Sequence, residues 1–575
     1  MRKLLKYLKG YEKETILGPL FKLVEAVFEL AVPLVVANII DNGIRQGNWK
    51  SVLLQCLLLV GLALAGLAFS VTAQYFSAVA AVGFATKLRH ALFERVQQFS
   101  YSQLDTLGTS SLITRMTSDI NTVQNGVNMM LRLFLRSPFI VFGAAVMAFV
   151  VDPHSAMTFV VVIPALCIVV FAIILASIPL YEKVQRRLEG VLGATRENLG
   201  GARVIRAFCA ENREKKSFEE KNKALLIMQK AVGRISALMN PLTYVVINLG
   251  IIALLWVGAG QVNGGIITTG AVLALYNYMS QILVELVKMA NLVIMITKSF
   301  ASAARVEETL AVQPDRPALT GGSSVGMDES GVHFEDAALR YSGAGEDSLS
   351  HISFSAALGE TVGVIGGTGS GKTSLMHLIP GFYLPTEGQV YVNGTATAAW
   401  DKAQLLRQIA VVPQKAVLFS GTIRDNMLWG DPAADDETIW KALEVAQADQ
   451  VVRDKGGLDA VVEQGGRNFS GGQRQRLTIA RALVRAPKIL ILDDSASALD
   501  HATEAALRAA IGALSPSPLV FIVSQRASSV MHADQILVLD DGTIAGKGTH
   551  EELLESCQVY QEIYRSQFGS QEESA

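Results

Sequence analysis

Charge is scarce in this sequence. Asp, Glu, Lys and Arg make up 18% of the 575 residues, whereas soluble domains carry about 25%. That shortage points to a membrane protein rather than a soluble one. The charges nearly cancel, at a formal −2, so there is no basic surplus of the kind that binds nucleic acid. Cysteine is sparse too. Cys56, Cys167, Cys209 and Cys557 are scattered and form no CxxC pair, which speaks against a disulfide framework or a zinc site. Internal repeats and low-complexity tracts are also missing.

Hydrophobic residues, by contrast, make up 50% of the chain and the mean hydropathy is positive. A chain this long does not fold around one core, so at least two domains are expected. The apolar residues are unevenly spread. Nearly all long apolar runs fall before about residue 300, and beyond Val312 the pattern turns to short apolar strands, Gly-rich turns and polar helices. Residues 313–331 have the Pro, Gly and Ser content of a linker. The expected division is a membrane domain over 1–307, a linker over 308–330 and a second domain over 331–575.

A spanning helix needs about 20 apolar residues, and six candidates meet that length: about 16–40, a helix inside 51–86, 133–151, 155–181, 241–257 and 268–296. The last two come from one uncharged stretch divided near Asn263-Gly264-Gly265. Residues 87–132 and 182–234 are long and rich in Lys and Arg, while the connections at Asp152-Pro153 and Asn263 are short and have none. The positive-inside rule therefore puts the long segments, with the basic N-terminus, in the cytoplasm of a multi-pass protein of the cell membrane. The N-terminus does not read as a cleavable signal, because its apolar region is too long and carries Lys22, Glu25 and Glu29. Helical apolar spacing continues through 186–218. Helices 2 to 5 are thus expected to extend into the cytoplasm, with their tips at Asp105-Thr106-Leu107-Gly108 and Gly200-Gly201-Ala202 reaching the second domain.

Gly366-Gly367-Thr368-Gly369-Ser370-Gly371-Lys372-Thr373 is a complete P-loop. It follows a short apolar strand and precedes a helical pattern, which is the context the motif requires. The glycines let backbone N–H groups turn toward phosphates at a helix N-terminus. Lys372 brings a charge to the outer phosphates of ATP, and Thr373 brings a hydroxyl to Mg2+. Farther on, the apolar run 488–492 ends in Asp493 and Asp494. It reads as a buried parallel strand with acids at its tip, and Asp493 is placed to hold the Mg2+ shell.

Between these motifs stand Ser470, Gly471, Gly472 and Gln473. An SGGQ segment between a P-loop and such a strand resembles the signature of the ATP-binding cassette (ABC) family. Other landmarks match in order. Tyr341 resembles the aromatic that stacks on adenine, Gln414 the glutamine that senses Mg2+, and residues 497–500 the D-loop. The resemblance covers the whole chain and implies a fold: an α-helical six-span transmembrane domain joined to one α/β P-loop cassette, the layout of an exporter half-transporter. It also implies pairing of two cassettes head to tail, each ATP lying between one P-loop and the other signature.

Two positions depart from the family pattern. Asp494 stands where the family has a water-polarising Glu. A carboxylate shorter by one methylene is withdrawn by about 1.5 Å, and a misplacement of about 1 Å can cost on the order of 10²-fold in rate. Gln525 stands where the family has the switch histidine, and an amide carries no proton near neutral pH. Together these changes resemble the degenerate half of a heterodimeric multidrug-type exporter. The non-identical partner would supply Glu and His, while Ser470 and Gly471 complete the partner's site. Two alternatives remain open at this point: a slow homodimeric exporter, and an ATP-gated channel or regulatory protein of the same fold. Drugs, lipids and small peptides are all open as cargo. A processed-peptide exporter is disfavoured, because no peptidase-like segment precedes the first helix. Lys22, Glu25 and Glu29 on helix 1, and Glu285 and Lys288 on helix 6, lie at membrane depth. There such residues are expected either to pair with one another structurally or snorkel to the cytoplasmic edge, or to face a cavity where the acids draw in cationic cargo.

Overall fold

The computed structural model describes residues 2–314 and 331–572, so most of the expected linker lies outside the described residues. The described chain forms two compact units, Met1–Gln97 with Ser110–Gln313, and Gln98–Thr109 with Pro314–Ala575.

The first unit is helical, and six of its helical stretches are long and apolar enough to cross a membrane. Helix α1 (Glu12–Asn38) continues through a π turn, Ile39–Ile44. Helix α2 covers Trp49–Gln97. It is followed by α3 (Tyr101–Leu107), capped by Ser100 and Gln103. The third span runs over Thr109–Val151. It contains a π turn at Arg115–Asp119, then α4 (Ile120–Leu133) and α5 (Arg136–Val151). Next come α6 (Pro153–Gly200), α7 (Glu211–Ala237), α8 (Met239–Asn263) and α9 (Thr269–Ala311). The break at Asn263 falls where the sequence places it, and Gly265 turns the chain there at φ +68°. Helix α9 continues to Ala311 and so overruns the expected boundary at 307. The helices of spans 2 to 5 are longer than a bilayer requires, as their periodicity predicts. Of the two tips, α3 belongs to the second unit, whereas residues 200–202 belong to the first.

The membrane charges are partnered. Glu285 is 2% exposed. Its carboxylate accepts hydrogen bonds from Arg136 Nη1, Lys288 Nζ and Ser137 Oγ, each at 2.8 Å. Arg136 Nη2 donates to Glu29 at 2.6 Å, and Lys22 pairs with Glu25 and donates to Ser70 Oγ at 3.0 Å. Of the two readings open for Glu285, these contacts are those of the structural pair, not of a carboxylate facing a cavity. A carboxylate enclosed by two cations and a hydroxyl ties α5 and α9 together and has no free side for cargo.

In the second unit, β1 (Gly331–Leu339) pairs antiparallel with β2 (Leu349–Ala357) and with β4 (Glu387–Val392). A six-stranded sheet holds β3 (Thr361–Gly366), β5 (Ile409–Val412), β6 (Ile489–Asp493), β7 (Leu519–Val523), β8 (Gln535–Asp540) and β9 (Thr543–Gly548). Their spatial order is β9-β8-β3-β7-β6-β5, parallel except for β9. Strand β6 is Ile-Leu-Ile-Leu-Asp and buried at every position, as a strand covered on both faces must be. Helix α10 (Lys372–Leu378) follows β3, α11 (Gly471–Val484) precedes β6 and α12 (His501–Gly512) follows it. Helix α13 (Gln558–Glu572) ends the described chain.

Candidate nucleotide site

Strand β3 delivers the P-loop to the carboxyl edge of the central sheet. Close packing forces glycine at the bends: a Cβ on Gly366 would stand 2.2 Å from the Leu539 carbonyl oxygen. Gly371 has φ +93° and precedes α10 with no side-chain cap, leaving the first N–H groups of the helix free of side-chain partners. Lys372 Nζ donates to the carbonyls of Gly366 at 2.9 Å and Gly367 at 2.5 Å. Burial holds its pKa below the usual lysine range, against the pull of Asp494 and Asp493.

Strand β6 brings Asp493 to the same edge. Thr373 Oγ1 donates to Asp493 Oδ1 at 3.2 Å. Asp493 is 5% exposed, and burial, with Asp494 alongside, pushes its carboxyl above the ordinary range; Thr373, His377 and Lys372 pull it back. These two hard oxygens fit a Mg2+ ion that also takes phosphate oxygens. When bound, the ion would neutralise charge on the phosphates.

A cavity of about 510 Å³ brings together Thr368, Gly369, Gly371, Lys372, Thr373, Gln414, Asp493, Asp494 and Gln525. Asp494 sits in the left-handed region at φ +47°, held by its N–H to Val523 O at 3.0 Å. Gln414 Nε2 donates to Asp494 Oδ2 at 3.0 Å. The glutamine expected to sense Mg2+ is therefore bonded to the carboxylate beside the Mg2+ position. Gln525 lines the same cavity and is exposed.

Tyr341 is not part of that wall. Its hydroxyl donates to Ser374 Oγ at 2.9 Å, and its ring meets Tyr383 edge-on at 5.0 Å. Tyr383 in turn bonds to Asp105 of α3, next to Tyr101 stacked on Phe382 at 4.5 Å. The wall also includes Glu346, Asp347 and Asp541. Sequence reasoning missed them, because loop acids carry no motif.

The signature residues lie elsewhere. Ser470 and Gln473 form a capping box at the start of α11. Ser470 and Gly471 are exposed, and none of the four signature residues lines the cavity. A Cβ on Gly472 would meet the Ala498 carbonyl oxygen at 3.0 Å, so the signature is seated against the D-loop.

Comparisons with known proteins agree with this geometry. The ABC transporter transmembrane region matches residues 15–286, and the ABC transporter cassette matches 349–497. The chain is 35% identical over 570 residues to the uncharacterised ABC transporter ATP-binding protein YfiB of Bacillus subtilis, covering 99% of each chain. It is 30% identical to an ATP-dependent lipid A-core flippase of Desulfotalea psychrophila, covering 83% of this chain and 84% of that one. The solved structure of a bacterial Atm1-family ABC exporter with ATP bound superposes with a TM-score of 0.79 at 22% identity, covering 97% of this chain and 98% of that one. The chain belongs to the ABC transporter family: it is a multi-pass exporter half-transporter whose cassette is an ATPase coupled to transport.

Proposed function

We propose that this chain is one half of a heterodimeric exporter, pairing with a non-identical chain whose cassette carries Glu and His at the positions of Asp494 and Gln525. In this reading its own P-loop binds Mg2+ and ATP and hydrolyses slowly. Its signature, Ser470 to Gln473, completes the partner's hydrolytic site. One observation carries the proposal: the catalytic end of the cavity holds a short carboxylate already bonded to Gln414, and an amide where proton handling calls for imidazole. The exposed, self-capped signature supports it, since a loop outside its own cavity is free to meet another cassette.

The chain's own residues divide the work. Lys372 and the N–H groups at the start of α10 hold phosphates. Thr373 and Asp493 orient the metal. Asp494, fixed by Gln414, stands too far back to orient water well. The distribution of Lys and Arg supports a cell-membrane protein with N-terminus and cassette in the cytoplasm. The cargo class is an amphipathic small molecule taken from cytoplasm or lipid; the flippase relative keeps a lipid among the options.

The test is ATPase activity of the chain purified alone, as wild type and as an Asp494→Glu, Gln525→His double variant. The double variant should hydrolyse at least tenfold faster. Steady turnover by the wild-type chain alone would favour the slow homodimer and end the heterodimer reading.

A further inference from the structure

A second cavity, of about 60 Å³, opens behind the segment that carries Asp494. Its apolar walls include Leu492 of β6, Leu507 and Ile511 of α12 and Val520 of β7. Six polar side chains interrupt them: Thr361, Ser495, Glu504, Arg508, Ser517 and Ser529. Glu504 is 8% exposed, Ser495 2% and Ser529 3%. Ser529 Oγ has no hydrogen-bond partner. Among the described residues, the Glu504 side chain has no ion-pair or hydrogen-bond partner, although Arg508 lines the same cavity one turn along α12. Arg508 Nη1 instead lies 3.5 Å from the Ser528 carbonyl oxygen.

We propose that this cavity binds a small organic cation, an amine or amidine with a short apolar body, through the Glu504 carboxylate. A buried carboxylate without a partner is costly and is satisfied by a cation that donates hydrogen bonds to it. The hydroxyl of Ser495 offers an acceptor on the same wall, and the leucine and isoleucine walls cover methyl or methylene groups. The volume suits a guest of about four heavy atoms or a few waters. Ser495 and Ala496 stand between Asp494 and the D-loop, and Ser529 lies four residues after Gln525, in the short helix Ala527–Val530. A guest therefore bears on both segments that shape the catalytic end of the nucleotide cavity. This site is independent of which chain is the partner.

The experiment is ligand-observed NMR on the full chain in detergent with saturating Mg-ATP, which fills the nucleotide cavity. Acetamidine is compared with acetamide, its neutral analogue of the same shape. Acetamidine should bind saturably and at least tenfold more tightly. Glu504→Gln should erase that preference, and Ser529→Leu, which fills the cavity, should abolish binding of both. ATP-analogue labelling at Lys372 checks that each variant is folded. Equal binding of the two probes to wild type, or acetamidine binding unchanged in both folded variants, would overturn the site. So would an absence of saturable binding, which would mean water alone occupies the cavity.

Discussion

At the start of α10 the chain turns through Gly371 with no side-chain cap, whereas at the start of α11 Ser470 and Gln473 cap each other's backbone. Both are helix N-termini, and both suit anions. The first opens into a cavity it shares with Asp493 and Asp494, and the second lies exposed outside that cavity. On the proposed function the difference separates two duties: the P-loop cradles phosphate within one chain, and the signature, capped by its own side chains, meets the phosphate held by another cassette.

The largest effect is expected at the signature. Ser470→Arg should reduce ATPase of the assembled transporter on the order of 10²-fold or more, the scale seen when one oxyanion donor is lost. Gln525→Ala should lower it no more than about twofold to threefold. If the two variants fall together in a steady-state ATPase assay, the division of duties is wrong.

Next comes the cradle itself. Lys372→Ala should abolish photolabelling of this chain by an azido-ATP analogue, because Lys372 is the cation at the head of the loop. Asp494→Ala should leave labelling nearly intact. Parallel loss would merge the binding and catalytic roles proposed for the two residues.

The membrane unit offers a third contrast, between Glu285 and Glu29. Removing one partner of a buried pair typically costs about 3–5 kcal/mol, and the Glu285 side chain is only 3% exposed. Glu285→Gln should therefore lower thermal stability in detergent and depress export of cationic and neutral dyes together. Glu29, whose side chain is 37% exposed, should cost less when changed to Gln. A selective loss of cationic dyes in Glu285→Gln, with stability unchanged, would restore a cargo role.

The smallest effect sharpens the picture of Asp493. Its carboxyl is pushed up by burial, so its contribution favours the fold at acid pH and is lost as pH rises through that raised value. At neutral pH, Asp493→Asn should raise the melting midpoint of the nucleotide-free protein, and the difference should shrink on acidification. With Mg-ATP the order should reverse. A lower midpoint for Asp493→Asn without nucleotide would show that Thr373 and Lys372 outweigh burial.

Motifs with fixed spacing were legible because their physics is local. A glycine loop between strand and helix, an apolar strand ending in acids, and apolar runs of bilayer length each announce themselves in a short window. The P-loop, Asp493, the six spans and the turn at Asn263 all rest on that. Contacts between distant segments were not legible. No window contains both Glu285 and Arg136, so the pairing that makes Glu285 structural was invisible. The same holds for Gln414 bonded to Asp494, and for Tyr341 set against Tyr383 outside the cavity wall.

By itself, then, the sequence determined the class of protein, the nucleotide chemistry and the two substitutions at the catalytic end, because residue identity and short-range order suffice for those. Only tertiary structure decided which charges are free and which are spent on one another. It also decided that the signature is exposed, and that Glu504, unpaired among the described residues, lines a cavity behind Asp494. Burial and pairing depend on what folds against a residue, and that partner comes from elsewhere in the chain.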